Sequence, residues 1–190
     1  MDGSVDRTRS LTFKADMTNR KRTAPAIFLA ALAASGCAAI DVPVASPPVA
    51  LVNSTGQQIG TVTASQTSGG VTLAISASGL PHGLHGVHVH AVGRCDPPKF
   101  ESAGGHWNPA ERHHGLNNPQ GPHAGDLPNI TVSSGGVATE TLVLSHASFA
   151  ALADADGSAL VIHAGPDDYM TDPSGNSGGR IACAVLAPPR

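Results

Sequence analysis

From about residue 49 to the end, short apolar-rich stretches are separated by turn-forming residues, and the clearest of them alternates apolar and polar with a period of two. In Val71-Thr72-Leu73-Ala74-Ile75-Ser76, Val, Leu and Ile fall on one face and Thr, Ala and Ser on the other, the pattern of a half-buried strand. The same reading predicts two strands within 50–66, separated by a turn at Ser54-Thr55-Gly56, and further strands over 84–90, 127–132, 137–144, 159–163 and 180–186. Ser68-Gly69-Gly70 and Ser133-Ser134-Gly135-Gly136 read as hairpin turns, and 145–153 as a short helical turn. Two stretches, 91–125 and 164–179, have no periodicity and are polar and Gly-rich. Loops of that length in a compact domain are usually functional or disordered. Short strands at regular spacing with two long loops predict an all-β antiparallel sandwich or barrel.

Composition narrows the classes. The 22 Gly and 15 Pro make up about a fifth of the 190 residues, while 41% of the chain is apolar and only 13% charged. That excludes a disordered polyelectrolyte and a coiled coil. Residues 38–190 hold five basic and eleven acidic groups, a net of −6. Nucleic-acid binding needs clustered Lys and Arg, so that partner is excluded.

The N-terminus has a different character. Asn19-Arg20-Lys21-Arg22 precedes the apolar run Ala26 to Ala34 and then Ser35-Gly36-Cys37. A charged segment, a short apolar segment and small residues describe an export signal. The ending is similar to a bacterial lipobox, with Ala34 where Leu is usual and Cys37 as the candidate for lipidation. Simple cleavage and a retained anchor are the alternatives. Met17 is a candidate true start. The expected organisation is a signal over 1–37, a Pro-rich linker over 38–48 and one folded domain over 49–190. The protein is then expected outside the cytoplasm, in the periplasm or cell envelope, touching a membrane only through a lipid on Cys37. Export leaves Cys95 and Cys183 as an even pair, open to a disulfide or to two buried thiols.

The outlier in composition is histidine, ten against eleven Lys and Arg. His88 and His90 stand at i and i+2, so on a strand their imidazoles leave the same face. The first long loop adds His106, His113, His114, His123 and Asp126, and His163 ends a later strand. His82 and His146 read as surface groups and His113 as an unliganded neighbour of His114. Several neutral imidazoles suit copper or zinc, and three His with one Asp suit a closed tetrahedral zinc site.

Gly86-Val87-His88-Val89-His90, Gly104-Gly105-His106-Trp107-Asn108-Pro109, His114, His123-Ala124-Gly125-Asp126-Leu127, Val161-Ile162-His163 and Gly178-Gly179-Arg180-Ile181-Ala182-Cys183 resemble the Cu/Zn superoxide dismutases. The resemblance covers about 51–186. The five-residue step from His90 to Cys95 resembles the bacterial periplasmic branch. The resemblance implies an immunoglobulin-like Greek-key sandwich or barrel and one copper and one zinc per chain. Copper would take His88, His90, His106 and His163, and zinc His106, His114, His123 and Asp126, with His106 shared. Asp167 would link ligands of the two metals, Cys95 and Cys183 would be bonded, and Arg180 would stand beside the copper. The implied reaction converts superoxide to O₂ and H₂O₂, by a monomer or a homodimer. A metal-binding or delivery protein on the same scaffold is the second reading and predicts a lost copper ligand or a lost Arg. A zinc hydrolase would need a His-Glu-x-x-His helix, which the sequence lacks.

Overall fold

The structure, a computed structural model, describes residues 44–190. The expected export signal, Cys37 and Met17 lie outside the described residues. The elements are β1 (Val44–Ala45), β2 (Val49–Asn53), β3 (Gln58–Thr67), β4 (Gly70–Ala77), β5 (Gly83–His85), β6 (Val87–His90), β7 (Ile130–Val132), β8 (Ala138–Ser145), α1 (Phe149–Leu152), β9 (Ser158–His163) and β10 (Arg180–Ala187). A 3₁₀ turn covers Glu101–Ala103. Among the described residues no helix is long and apolar enough to cross a membrane.

All named pairings are antiparallel. The main sheet runs β6-β9-β10-β2-β3-β4-β8, with β1 paired to β3. The stretch read as a Pro-rich linker over 38–48 therefore contains two strand residues, Val44 and Ala45, paired with Gln66 and Ser65. β5 and β7 form a separate two-stranded ladder. Because β5 leads into the edge strand β6 and β7 leads towards the other edge, β8, this ladder links the two ends and the sheet curls on itself. The Greek-key barrel expectation is consistent with this path.

The period-two pattern explains the core. Leu51, Val62, Leu73, Ile75, Leu144, Leu160 and Ile162 are all buried in one cluster. Each such side chain contributes roughly 1.5–3 kcal/mol when removed from water. Cys95 and Cys183 are joined, with their Cα atoms 5.7 Å apart. The bond packs with Phe100, Ala103, Ala159 and Val161 in a smaller cluster and fastens the start of the first long loop to β10. α1 is capped by Ser148, whose side chain accepts from the Ala151 N–H.

Two strand expectations are corrected. Residues 84–90 are not one strand, because the chain changes partner at Gly86. There the N–H donates to Gly165 O at 2.8 Å and the carbonyl accepts from His163 N at 2.9 Å. A Cβ at Gly86 would lie 2.9 Å from Ser177 Cβ and 3.2 Å from Asp167 Cβ, so the second long loop packs where a side chain would stand. The strand expected over 127–132 is reduced to 130–132. Asn129 turns instead to the second loop, donating from Nδ2 to Asp167 O and accepting from Asp167 N.

Candidate metal centre

β6 is buried along its whole length, with Val87 and Val89 in the core cluster and His88 and His90 on the opposite face. His163 ends the neighbouring strand β9. The first long loop returns to the same place, where Trp107 N donates to Val89 O and Val89 N donates to Gly125 O, both at 2.8 Å. This stitching brings His106 opposite His90 and Asp126 opposite His88. Arg180 opens β10 directly across from His163.

Four imidazoles, those of His88, His90, His106 and His163, converge with one ring nitrogen each within 4.8 Å of the others. Three of these rings spend one nitrogen on the protein. His88 Nε2 meets Asp167 Oδ2 at 2.7 Å, His90 Nδ1 meets Gly104 O at 2.9 Å, and His163 Nδ1 meets Gly178 O at 3.2 Å. Their other nitrogens, His88 Nδ1, His90 Nε2 and His163 Nε2, are buried with no hydrogen-bond partner. A buried polar atom without a partner costs about 1–3 kcal/mol. Three such acceptors facing one point are what a metal ion would satisfy. Burial, the largest cause, and neighbouring imidazoles hold His90 down at about 2 and His163 at about 3, so both rings are neutral and able to ligate at neutral pH.

A second set adjoins the first through His106. His106 Nδ1 lies 2.9 Å from Asp126 Oδ1 and 3.2 Å from His123 Nδ1. His114 Nδ1 and His123 Nδ1 lie 3.1 and 3.2 Å from the same Asp126 oxygen. Zinc–nitrogen bonds of about 2.0–2.1 Å imply a tetrahedral edge of about 3.3 Å, so these separations fit a zinc ion. His88 also brings a ring nitrogen within 4.8 Å of His106, His114 and Asp126, but its unpartnered Nδ1 belongs with the first set. Burial, the largest cause, and the His88 and His114 imidazoles lower His106 to about 4, although the hydrogen bond to Asp126 and the Asp126 charge raise it. In His114 burial is outweighed by the hydrogen bonds its ring donates to Asp126 and Asp167, which raise it to about 9. Burial would raise Asp126, yet hydrogen bonds from His106, His114 and Gly115 N–H hold it well below the carboxylate range.

Asp167 joins the two sets, one oxygen at His88 Nε2 and the other 3.0 Å from His114 Nε2. Arg180 is partly buried; its Nη1 donates to Phe100 O at 2.6 Å and its Nη2 to Gly104 O at 2.7 Å. It lines an opening together with His90, His106 and His163. All the residues expected to hold metals thus stand together, as does Arg180. His113 stays outside both sets, and the expectation for Cys37 lies outside the described residues. One residue escaped the sequence reading. His85 is buried, with Nδ1 2.7 Å from His163 O and Nε2 2.9 Å from Pro81 O, bracing the backbone of His163. Its nearness to the His-x-His pair was the available signal.

The family model described as copper/zinc superoxide dismutase matches residues 58–186. The chain belongs to the copper/zinc superoxide dismutase family. Superoxide dismutase [Cu-Zn] 1 of Aquifex aeolicus is 48% identical over 142 residues, covering 72% of this chain and 84% of that relative. A crystal structure of a SOD-like protein from Bacillus subtilis is 42% identical with a TM-score of 0.72, covering 75% of this chain and all (100%) of that one. The Cu/Zn superoxide dismutase of Brucella abortus is 31% identical, with a TM-score of 0.64 over 75% of this chain and 99% of that one. Copper and zinc are the family's cofactors and superoxide is its substrate, and the two donor sets are suited to both metals.

Proposed function

We propose that this chain is an exported superoxide dismutase in which two superoxide anions and two protons give O₂ and H₂O₂. Copper would be held by His88 Nδ1, His90 Nε2, His106 Nε2 and His163 Nε2, and zinc by His106 Nδ1, His114 Nδ1, His123 Nδ1 and Asp126 Oδ1. The observation that carries the reading is the trio of unpartnered buried nitrogens beside a tetrahedral donor set, the two sharing His106. Copper supplies the one-electron couple that accepts an electron from one superoxide and returns it to another.

The chain's own residues do the rest. Arg180 sets a positive charge at the opening, and its two carbonyl acceptors hold the guanidinium still. A fixed local charge concentrates an anion even against a net −6 body. The His106 imidazole sits between the donor sets with its side chain 5% exposed; its Nε2 would ligate copper or, when released from copper, hold a proton at the opening, never both at once. The zinc-side residues pin the first long loop, offsetting the entropy of ordering it. Export is supported by the signal-like N-terminus and by the disulfide, which persists in oxidising compartments.

The test is superoxide dismutation by the metal-loaded protein with metal content determined on the same sample. Fast turnover with about one copper and one zinc per chain is expected. Both metals bound without turnover would favour the non-catalytic scaffold. In His106→Ala, zinc retention and copper reactivity should fall together, whereas zinc at full occupancy would remove His106 as the shared ligand.

A further inference from the structure

The sequence leaves His113 as a bystander and assigns nothing to Asp172. The structure joins them. The His113 ring Nδ1–H donates to Asp172 Oδ2 in a close contact. The other oxygen, Asp172 Oδ1, accepts the main-chain N–H of His114 at 2.6 Å. His113 and His114 belong to the first long loop and Asp172 to the second, 58 residues further on. His114 is thus held at four points: its backbone N–H by Asp172, its carbonyl by Asn118 Nδ2, its Nε2 by Asp167 and its Nδ1 beside Asp126. Beside these contacts the loops are joined by Asn117 N donating to Tyr169 O at 3.1 Å and Asn118 Nδ2 donating to Met170 O at 3.3 Å.

We propose that Asp172 is a positioning residue for zinc: it clasps the two loops together and fixes the backbone of His114 so that Nδ1 stays at its place among His106, His123 and Asp126. The proposal rests on the zinc assignment made above. Asp172 hydrogen-bonds no donor atom; its hold on the site runs through the main chain of His114. Outer partners that orient a ligand typically change metal retention 10–100-fold. A contact made through the ligand's backbone belongs near the lower figure. The copper-facing rings of His90 and His163 donate to the carbonyls of Gly104 and Gly178 and do not depend on the clasp.

The experiment follows zinc and copper release to chelators from the fully loaded protein, for wild type, Asp172→Ala and Asp172→Asn, with thermal unfolding in parallel. Asp172→Ala should release zinc about tenfold faster while copper leaves at the wild-type rate. Asp172→Asn keeps an oxygen for the His114 N–H and should stay within about twofold of wild type, a rescue that a general loosening would not produce. Zinc release from Asp172→Ala at the wild-type rate would overturn the proposal. So would zinc and copper release accelerated equally, or an Asn variant as leaky as the Ala variant. A wild-type protein that retains no zinc would overturn the zinc assignment itself, and the clasp with it.

Discussion

Gly175 offers a sharp test of how the two donor sets are tied. Its φ is +62°, and a Cβ there would lie 1.8 Å from Asp167 Oδ1, 2.5 Å from Asp167 Cγ and 2.8 Å from His114 Nε2. Asp167 has nowhere to retreat, because its oxygens also serve His88 Nε2 and Tyr169 N, each at 2.7 Å. Gly175→Ala therefore has two costs. The left-handed backbone costs about 1–2 kcal/mol for a residue with a side chain. Displacing Asp167 Oδ1 forfeits at least one charge-assisted hydrogen bond, about 1.5–3 kcal/mol. The sum, about 2.5–5 kcal/mol, is a large fraction of the roughly 5–15 kcal/mol that keeps a domain folded. Gly79 is the control: its φ is +74° and nothing lies within 4 Å of its would-be Cβ, so Gly79→Ala carries the backbone cost alone. Denaturant unfolding of the metal-free variants separates the two costs, and metal titration should show 10–100-fold weaker binding for Gly175→Ala only. Equal destabilisation of the two variants, with wild-type metal affinity in Gly175→Ala, would refute the reasoning.

Three other outcomes are expected. Arg180→Ala should slow turnover and flatten its salt dependence with both metals still bound, and an unchanged rate would remove Arg180 from the mechanism. Zinc binding to the metal-free protein should release the proton that His114 carries below about 9; affinity should then rise about tenfold per pH unit across neutrality, and a pH-independent affinity in calorimetry would contradict it. In the metal-free protein His90, His106 and His163 lie at about 2, 4 and 3, below their ordinary 6.5. The unfolded chain then binds more protons below pH 6.5, so these groups lower stability as pH falls from 6.5 towards 4. His114 works the other way, contributing stability below pH 6.5 that is lost as pH rises through about 9. Three groups against one make the metal-free protein less stable at pH 5 than at pH 7, and a higher denaturant midpoint at pH 5 would show the balance to be wrong.

What could be read in the chain was what depends on local period or residue type. Alternation placed β4, and short apolar runs between turns placed β3, β9 and β10, nearly to the residue, and the two-residue step between His88 and His90 put both rings on one face of β6. The break at Gly86 was invisible, because its cause is a loop eighty to ninety residues later that fills the space a side chain would take. Asn129 read as part of a strand for the same reason: its partner is the backbone of Asp167. The role of His85 was hidden because a buried histidine with two carbonyl acceptors has no sequence mark distinguishing it from a ligand or a surface group. The donor sets were legible mainly through resemblance. Composition and spacing pointed to a metal, while the division of eight donor atoms between two ions depends on which ring nitrogen faces which carbonyl.

Those carbonyls bear on how the protein tolerates change over evolutionary time. Two of the three unpartnered nitrogens are aimed by main-chain oxygens, those of Gly104 and Gly178, and no point substitution deletes a main-chain oxygen. At these positions selection acts on the path of the loop. The third ring, His88, is aimed by the Asp167 carboxylate, which a single codon change removes. The aim of His90 and His163 therefore survives any substitution that leaves the loop path unchanged, while the alignment of His88 has one point of genetic failure, seventy-nine residues away along the chain.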